Sequence, residues 1–272
     1  MLIQLGYDIE LSLTGPTALV ALLLLHPDRV PDVVEPEALT IDPPLPGDRY
    51  LDTFGNRCIR FRVPADVDRV RLRNQFVIRD SGLPDPVVPD ARQHPVDEIP
   101  TEALAYLLPS RYCEVDSQLL QFAWDTFGTT PSGWARVQAV CDFVHEHLVF
   151  DYSTASVDRT AVRAFADRLG VCRDFAHLAI TLCRALNIPA RYVTGYLGDI
   201  GVPPDPSPMD FSAWFEVYLG GGWHTFDARH NFPRIGRAPI ARGRDAADVP
   251  ITMVFGPSTL IRFEVVSAEI AA

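Results

Sequence analysis

Residues 169–191 run Leu169-Gly170-Val171-Cys172-Arg173-Asp174-Phe175-Ala176-His177-Leu178, pass through Leu182, Cys183 and Leu186, and close on Asn187-Ile188-Pro189-Ala190-Arg191. Phe175, Leu178, Ala179, Leu182 and Leu186 recur at helical spacing and form one apolar stripe. Gly170 is a permissive entry residue, and Asn187 followed by Pro189 stops the helix. Cys172 therefore falls in the first turn. There, unpaired N–H groups and the helix dipole favour a thiolate over a thiol. A thiolate at a helix mouth is a nucleophile that needs a base. The competing reading is a small buried hydrophobe, the usual condition of a free cysteine. Position alone leaves both open.

Upstream of this stretch the pattern is helical back to about residue 115. Segments 116–127 and 133–148 are amphipathic, with Ser132 as the expected cap of the second, and a short helix is expected over 161–168. Downstream the period changes to two. Residues 191–197 read as a strand and 201–208, with four prolines, as a loop. Residues 213–219, Gly220-Gly221-Gly222 and 223–227 read as a strand, a hairpin turn and the returning strand. Helices followed by an antiparallel sheet make an α+β core.

Further upstream, Ile3, Leu5, Tyr7, Ile9, Leu11 and Leu13 alternate with smaller or polar residues, as do Val70, Leu72, Asn74, Phe76 and Ile78. The continuous apolar run 18–25 reads as a strand buried on both faces. Short strands at 39–41 and 58–63, with turns between, complete a sandwich or open barrel over residues 1–80. Six prolines at 84, 86, 89, 95, 100 and 109 make residues 81–114 a linker, broken by one short helix near 101–108. The expected organisation is an all-β domain (1–80), a Pro-rich linker (81–114) and an α+β core (115–272) that takes in the tail strands near 251–254 and 260–266.

Composition limits the partners. The net charge of −11 argues against nucleic acid and anionic membrane surfaces. Five cysteines, at 58, 113, 141, 172 and 183, show no paired pattern, which favours a reducing cytosol over a disulfide framework. The N-terminus lacks a basic n-region, and the run 18–25 is too short to span a bilayer, so a cytoplasmic chain is expected. Every basic side chain is arginine. The protein therefore has no lysine amine to offer in a crosslink to itself.

The motif around Cys172, together with Leu186-Asn187-Ile188-Pro189-Ala190-Arg191 and Gly195-Tyr196, resembles the nucleophile segment of bacterial transglutaminase-like proteins. Ala213-Trp214-Phe215-Glu216-Val217-Tyr218, Gly222-Trp223 and Phe226-Asp227 resemble the segment that supplies the rest of their triad. Residues 1–80 are similar to the β-rich domain that precedes many of these cores. The resemblance implies a papain-like cysteine–histidine–aspartate fold and acyl transfer on amides. It implies Cys172 as nucleophile and Asp227 as the residue that orients the histidine. No cofactor is implied. The family histidine falls two residues before the tryptophan of the strand, and here that position is Ser212.

A serine hydroxyl cannot deprotonate a thiol, because its own pKa is far too high. The triad needs an imidazole near the sulfur with a carboxylate on its far nitrogen. His230, in the loop leaving Asp227, is the leading replacement. His224 shares a strand with Asp227 at odd spacing, so the two face opposite ways. His177 lies about 140° round the helix from Cys172. Cys141, His145 and His147 do not make a metal set, because His147 leaves the shared face and no further ligands are near. Asp174 reads as a first-turn acid, Arg173 as a surface residue and Glu216 as exposed. Trp214 either fills the core or walls the acyl site, and Ser212 is expected beside the substrate.

Two readings follow. In the first, Cys172 attacks a peptide or carboxamide carbonyl, with His230 and Asp227 in support, and the acyl group passes to water or an amine. In the second, the fold binds a peptide or protein without turnover, because Ser212 stands where the family keeps histidine.

Overall fold

The computed structural model describes residues 1–206 and 209–271, so the last two residues of the loop expected over 201–208 lie outside the described residues. In chain order the strands are β1 (Leu2–Leu13), β2 (Thr17–Ala21), β3 (Val33–Glu35), β4 (Thr40–Asp42), β5 (Gly47–Leu51), β6 (Arg57–Val63) and β7 (Arg69–Arg79). Helices α1 (Thr101–Leu104), α2 (Gln118–Phe127) and α3 (Trp134–His147) follow. Then come β8 (Val149–Phe150), α4 (Ala161–Asp167), β9 (Leu169–Gly170) and α5 (Cys172–Ala185). The chain ends with β10 (Ala190–Tyr196), β11 (Ser212–Leu219), β12 (Gly222–Phe226), β13 (Ala238–Gly243), β14 (Thr252–Phe255) and β15 (Ser258–Ile270).

Two antiparallel sheets form the N-terminal sandwich. One has the order β15-β1-β7-β3, with β4 also on β7, and the other is β14-β2-β6-β5. Their inner faces are the alternating residues of the strands: Ile3, Leu5, Ile9 and Leu11 from one sheet, Leu19, Phe61 and Val63 from the other, all buried. The apolar run after residue 18 is strand only as far as Ala21. Leu22 to Leu25 remain buried, with the Leu22 N–H given to the Ile251 carbonyl. The tail belongs to this sandwich. β15 pairs along the whole of β1, from Leu2 opposite Ile270 to Leu13 opposite Ser258, and β14 pairs with β2. Alternation marks such a segment as a strand, but its partner lies at the other end of the chain.

The second unit is mixed. Helix α5 is buried from Asp174 through Ala185 and packs on the four-stranded antiparallel sheet β12-β11-β10-β13. Its apolar stripe meets β11 and β10, while helices α2, α3 and α4 cover its other sides. Ser117 caps α2 and Thr160 caps α4 through their side-chain oxygens. Helix α3 is entered differently from the expected Ser132 cap. Its N-cap is Gly133 at φ 90°, and a Cβ there would sit 2.4 Å from the Ala91 carbonyl oxygen. The β11–β12 hairpin turns on Gly220 and Gly221, both at positive φ.

The two units share one apolar core, joined by edge contacts such as Phe76 on Tyr196 and Tyr7 on Phe211. Asn56, in the β5–β6 turn, exchanges two hydrogen bonds with the backbone of Arg242 in β13, both 2.8 Å. Glu216, expected to be exposed, is buried between Arg191 at 2.6 Å and Arg242 at 3.1 Å. Its strand is covered on that face by charged side chains from β10 and β13, which its own sequence does not announce. Among the described residues, no helix is long and apolar enough to cross a membrane.

Two histidines are buried in this framework. His177 stacks on Tyr112, meets the Tyr192 ring at a tilt and accepts the Ala246 N–H at 3.1 Å. His26 lies against Arg242 and Asp28. Burial holds His26 down to about 4 and His177 well below the usual imidazole range. A depressed folded value means that the unfolded chain takes up protons first on acidification. Stability is therefore full above the ordinary histidine value near 6.5 and falls as the pH drops through the folded values. Urea unfolding is expected to show a loss of about 2–4 kcal/mol between pH 7 and pH 5. Most of that dependence should vanish in a His26→Gln, His177→Gln double variant; an unchanged slope there would show that other groups carry it.

Candidate active site

Cys172 is the first residue of α5, and β9 delivers it. The turn before it is fixed by Asp174, which is 1% exposed. Its carboxylate accepts the Val171 N–H at 2.9 Å and meets Arg159 at 3.3 Å and Arg173 at 3.4 Å. Asp174 is thus the helix cap, acting from the third helical position onto the residue before the helix. Gly170 is required by it, because a Cβ there would sit 2.6 Å from the Asp174 Cβ. Arg173 spans Asp174, the Ser156 carbonyl and the Tyr112 ring, so it is a brace and not a solvated surface residue.

The cysteine itself is half-buried. Burial is the largest influence on its thiol and pushes the pKa up to about 11. The Asp210 charge pushes the same way, while the Arg229 guanidinium and the Ala213 N–H favour the thiolate. With burial pushing the thiol up, Cys172 near neutral pH must pass its proton to a base before it reacts.

At the far end of the hairpin, β12 ends on Phe226 and Asp227 follows, 7% exposed. One oxygen of Asp227 accepts the backbone N–H groups of Arg229 at 3.0 Å and His230 at 3.1 Å, which bends the chain back on itself. The other oxygen lies 2.8 Å from His230 Nδ1 and 2.8 Å from an Arg237 terminal nitrogen. Burial by itself would raise this carboxyl. Arg237 and His230 more than offset that and hold it far below the usual carboxylate range. The result is an imidazole with its Nδ1 tied to an ionised carboxylate and its other nitrogen without a hydrogen bond among the described residues. From below, His145 on α3 bonds the carbonyls of Ala228 and Arg229 at 3.2 and 2.9 Å.

His230 lines a cleft of about 230 Å³ with Ser212, Tyr152, Arg229, Asp210 and Met209. Arg229 and Asp210 are the charges the Cys172 sulfur feels most, and the Tyr152 hydroxyl also responds to that sulfur. Arg229 stands with its guanidinium 3.8 Å from the centre of the Phe150 ring. Ser212 and His230 share this cleft from β11 and the turn after β12, with Asp227 behind the imidazole, and Cys172 at the mouth of α5 feels Arg229 and Asp210 of the same cleft and the Ala213 N–H. Trp214 does not line the cleft. It is 2% exposed and lies under Arg237, 4.9 Å from ring centre to guanidinium carbon.

The other histidines are engaged elsewhere. His224 Nε2 donates a hydrogen bond to the Leu219 carbonyl, 3.0 Å away, and the ring meets Trp134 edge-on. His147 bonds the Phe165 carbonyl at 2.8 Å between the Phe143 and Phe165 rings. Two residues linked to Asp227 by ion pairs were not singled out in the sequence: Arg237, and Asp85, which accepts Arg237 Nε at 2.8 Å. Arg237 carried one available signal, a cation ten residues beyond the expected orienting carboxylate. Asp85 carried none.

Residues 121–228 match the family model of the transglutaminase-like superfamily. Over 212 residues the chain is 31% identical to an uncharacterized protein of Mycobacterium leprae, covering 74% of this chain and 73% of that one. The chain superposes over its full length on 91% of a crystal structure from Cytophaga hutchinsonii, described as a candidate cysteine protease, with a TM-score of 0.85 and 29% identity. The chain belongs to the bacterial transglutaminase-like family. An uncharacterized protein of Mycobacterium tuberculosis is 25% identical over 238 residues, 78% of this chain and 73% of that one. The transglutaminase-like core spans the helices and the β10–β12 region just described, preceded by the strand-rich sandwich. This fold and its Cytophaga neighbour support a family of cysteine-type hydrolases and acyltransferases. As a transglutaminase-like chain it carries serine at 212, and its imidazole on Asp227 comes from His230.

Proposed function

We propose that the protein transfers acyl groups from amide or peptide substrates through Cys172, with His230 as base and Asp227 as the group that orients it. The observation that carries this is the 2.8 Å contact between His230 Nδ1 and Asp227 in the cleft that also holds Ser212. As the Cys172 sulfur attacks the carbonyl carbon, its proton passes to the free nitrogen of His230. A carbon–sulfur bond forms and the carbonyl oxygen becomes an oxyanion. The backbone N–H groups of Cys172 and Arg173, at the first two positions of α5, are suited to hold it. The proton on His230 then leaves with the amine as the carbon–nitrogen bond breaks, giving a thioester. Water or a second amine resolves the thioester.

Two observations support a second reading, a peptide-binding module without turnover. The thiol is pushed up to about 11, and position 212 offers only a hydroxyl. The readings separate by trapping. Mixed with a p-nitrophenyl ester or an activated amide, the wild-type chain is expected to release one equivalent of leaving group in a burst. It should also gain the acyl mass on the peptide containing Cys172. The Cys172→Ala chain should do neither. A wild-type chain that binds peptide yet shows no burst and no acyl mass would establish the binding module.

A further inference from the structure

We propose that Asp85, from the proline-rich segment, is a positioning residue for the Asp227–His230 pair, acting through Arg237. This rests on the proposed role of His230 as base. Three ionic contacts run in series. Asp85 Oδ2 accepts Arg237 Nε at 2.8 Å, an Arg237 terminal nitrogen donates to Asp227 Oδ2 at 2.8 Å, and that same oxygen meets His230 Nδ1 at 2.8 Å. The middle members are shut away from water, with side-chain exposures of 6% for Arg237 and 4% for Asp227, while Asp85 retains 16%.

Among the described residues, the remaining terminal nitrogen of Arg237 is buried without a hydrogen-bond partner, and its guanidinium lies over the Trp214 ring. The guanidinium is a planar fork, so anchoring Nε fixes the direction of the nitrogen that reaches Asp227. Asp85 is itself pinned at both ends. Its N–H is given to the Arg234 carbonyl at 2.9 Å, and its carboxylate accepts the Arg234 N–H at 2.9 Å. The linker therefore does more than tie the sandwich to the core. It brings a carboxylate behind the site.

The consequence is electrostatic as well as geometric. Asp227 Oδ2 is shared between a guanidinium and an imidazole. A second carboxylate on the guanidinium draws part of that cation away from Asp227 and leaves more negative charge facing His230. Removing the Asp85 charge strengthens the pull of Arg237 on Asp227 and lowers the proton affinity of the imidazole.

Other groups near His230 act alongside. Arg229 flanks it in the turn, and Asp199, Asp205, Asp210, Tyr152 and Arg234 face the same cleft. Cys172 lies at the mouth of α5, and His145 and Asp142 on α3 hold the turn through Ala228, Arg229 and Asn231. None of these changes in the variants below.

The test is an NMR pH titration of the His230 ring in the full chain, its resonance assigned by absence in His230→Gln. In Asp85→Asn, and in Asp85→Ser as a second charge-removing variant, the ring is expected to titrate about one pH unit lower than in wild type. Asp85→Glu should return to within about 0.3 unit. Asp90→Asn, an exposed aspartate of the same segment, should leave the titration unmoved. A titration in both charge-removing variants that matches wild type, or one shifted equally by Asp90→Asn, overturns the proposal. So does unfolding of both charge-removing variants while Asp85→Glu folds and titrates as wild type, since Asp85 would then serve the fold alone. Alkylation of Cys172 by iodoacetamide is followed against pH in parallel. A shifted ring titration with no His230-dependent limb in alkylation removes the proposed function and leaves the coupling standing; an intact limb with an unmoved titration does the reverse.

Discussion

Replacing His230 by glutamine is expected to slow acylation of Cys172 near pH 7 by about 10²–10⁴-fold, the usual contribution of a positioned general base. That factor is about 3–5 kcal/mol of barrier. The reason lies in the resting sulfur. With its thiol pushed up to about 11, only a trace of Cys172 is ionised near neutrality. The wild-type rate therefore depends on an acceptor for the proton. The imidazole held on Asp227 is the proposed acceptor. The pH profile separates base catalysis from simple damage to the fold. The wild type should rise once as the imidazole loses its proton and again as the free thiol ionises near pH 11. The glutamine variant should keep only the second rise. Two superimposable profiles would end the role of His230 and leave thiolate chemistry to Arg229 and the helix dipole alone.

Much of this architecture was legible in the chain, for a physical reason. The alternation in Ile3 to Leu13 and the stripe in Phe175 to Leu186 are local patterns imposed by burial on one face. The glycines at 220 and 221 are local demands of a tight hairpin. The family fold follows from the same local signals, read together around Cys172. What was not legible depends on partners far along the chain. β15 completes the sheet of β1, Glu216 is enclosed by Arg191 and Arg242, and Asp85 reaches Arg237 across 152 positions. The same division explains the sulfur. A helix mouth favours a thiolate through dipoles that the sequence places nearby. The desolvation that opposes it comes from the whole packed core. Short-range arguments identify which residues have the right chemistry, and long-range packing sets the protonation state in which they wait.

Asp227 tests how far the site and the fold depend on one carboxylate, and two substitutions there are expected to behave differently. Asp227→Ala removes the acceptor for four donors at once: the Arg229 and His230 N–H groups, His230 Nδ1 and Arg237. It leaves a buried guanidinium with Asp85 as its remaining carboxylate. Removing one partner of a buried pair costs about 3–5 kcal/mol, and urea unfolding at pH 7 should show a loss of that size. Asparagine keeps the shape and one acceptor oxygen, so the turn can persist and the loss should be about 1–3 kcal/mol. The amide cannot serve both the backbone N–H groups and the imidazole as a carboxylate does. If its oxygen stays on the backbone, its NH₂ faces His230 Nδ1 and selects the opposite tautomer, placing a proton on the nitrogen that should receive one. Acylation is then expected to fall about 10³–10⁴-fold in a chain that still folds. The acid limb of stability supplies an independent check. The folded carboxyl is held below its unfolded value, so its contribution is present above about pH 4 and is lost as the pH falls through the folded value. The Ala and Asn chains should both lose that part of the acid dependence. An Asn chain that acylates like wild type would show that His230 does not need an anion behind it, and the triad reading of this cleft would fall with it.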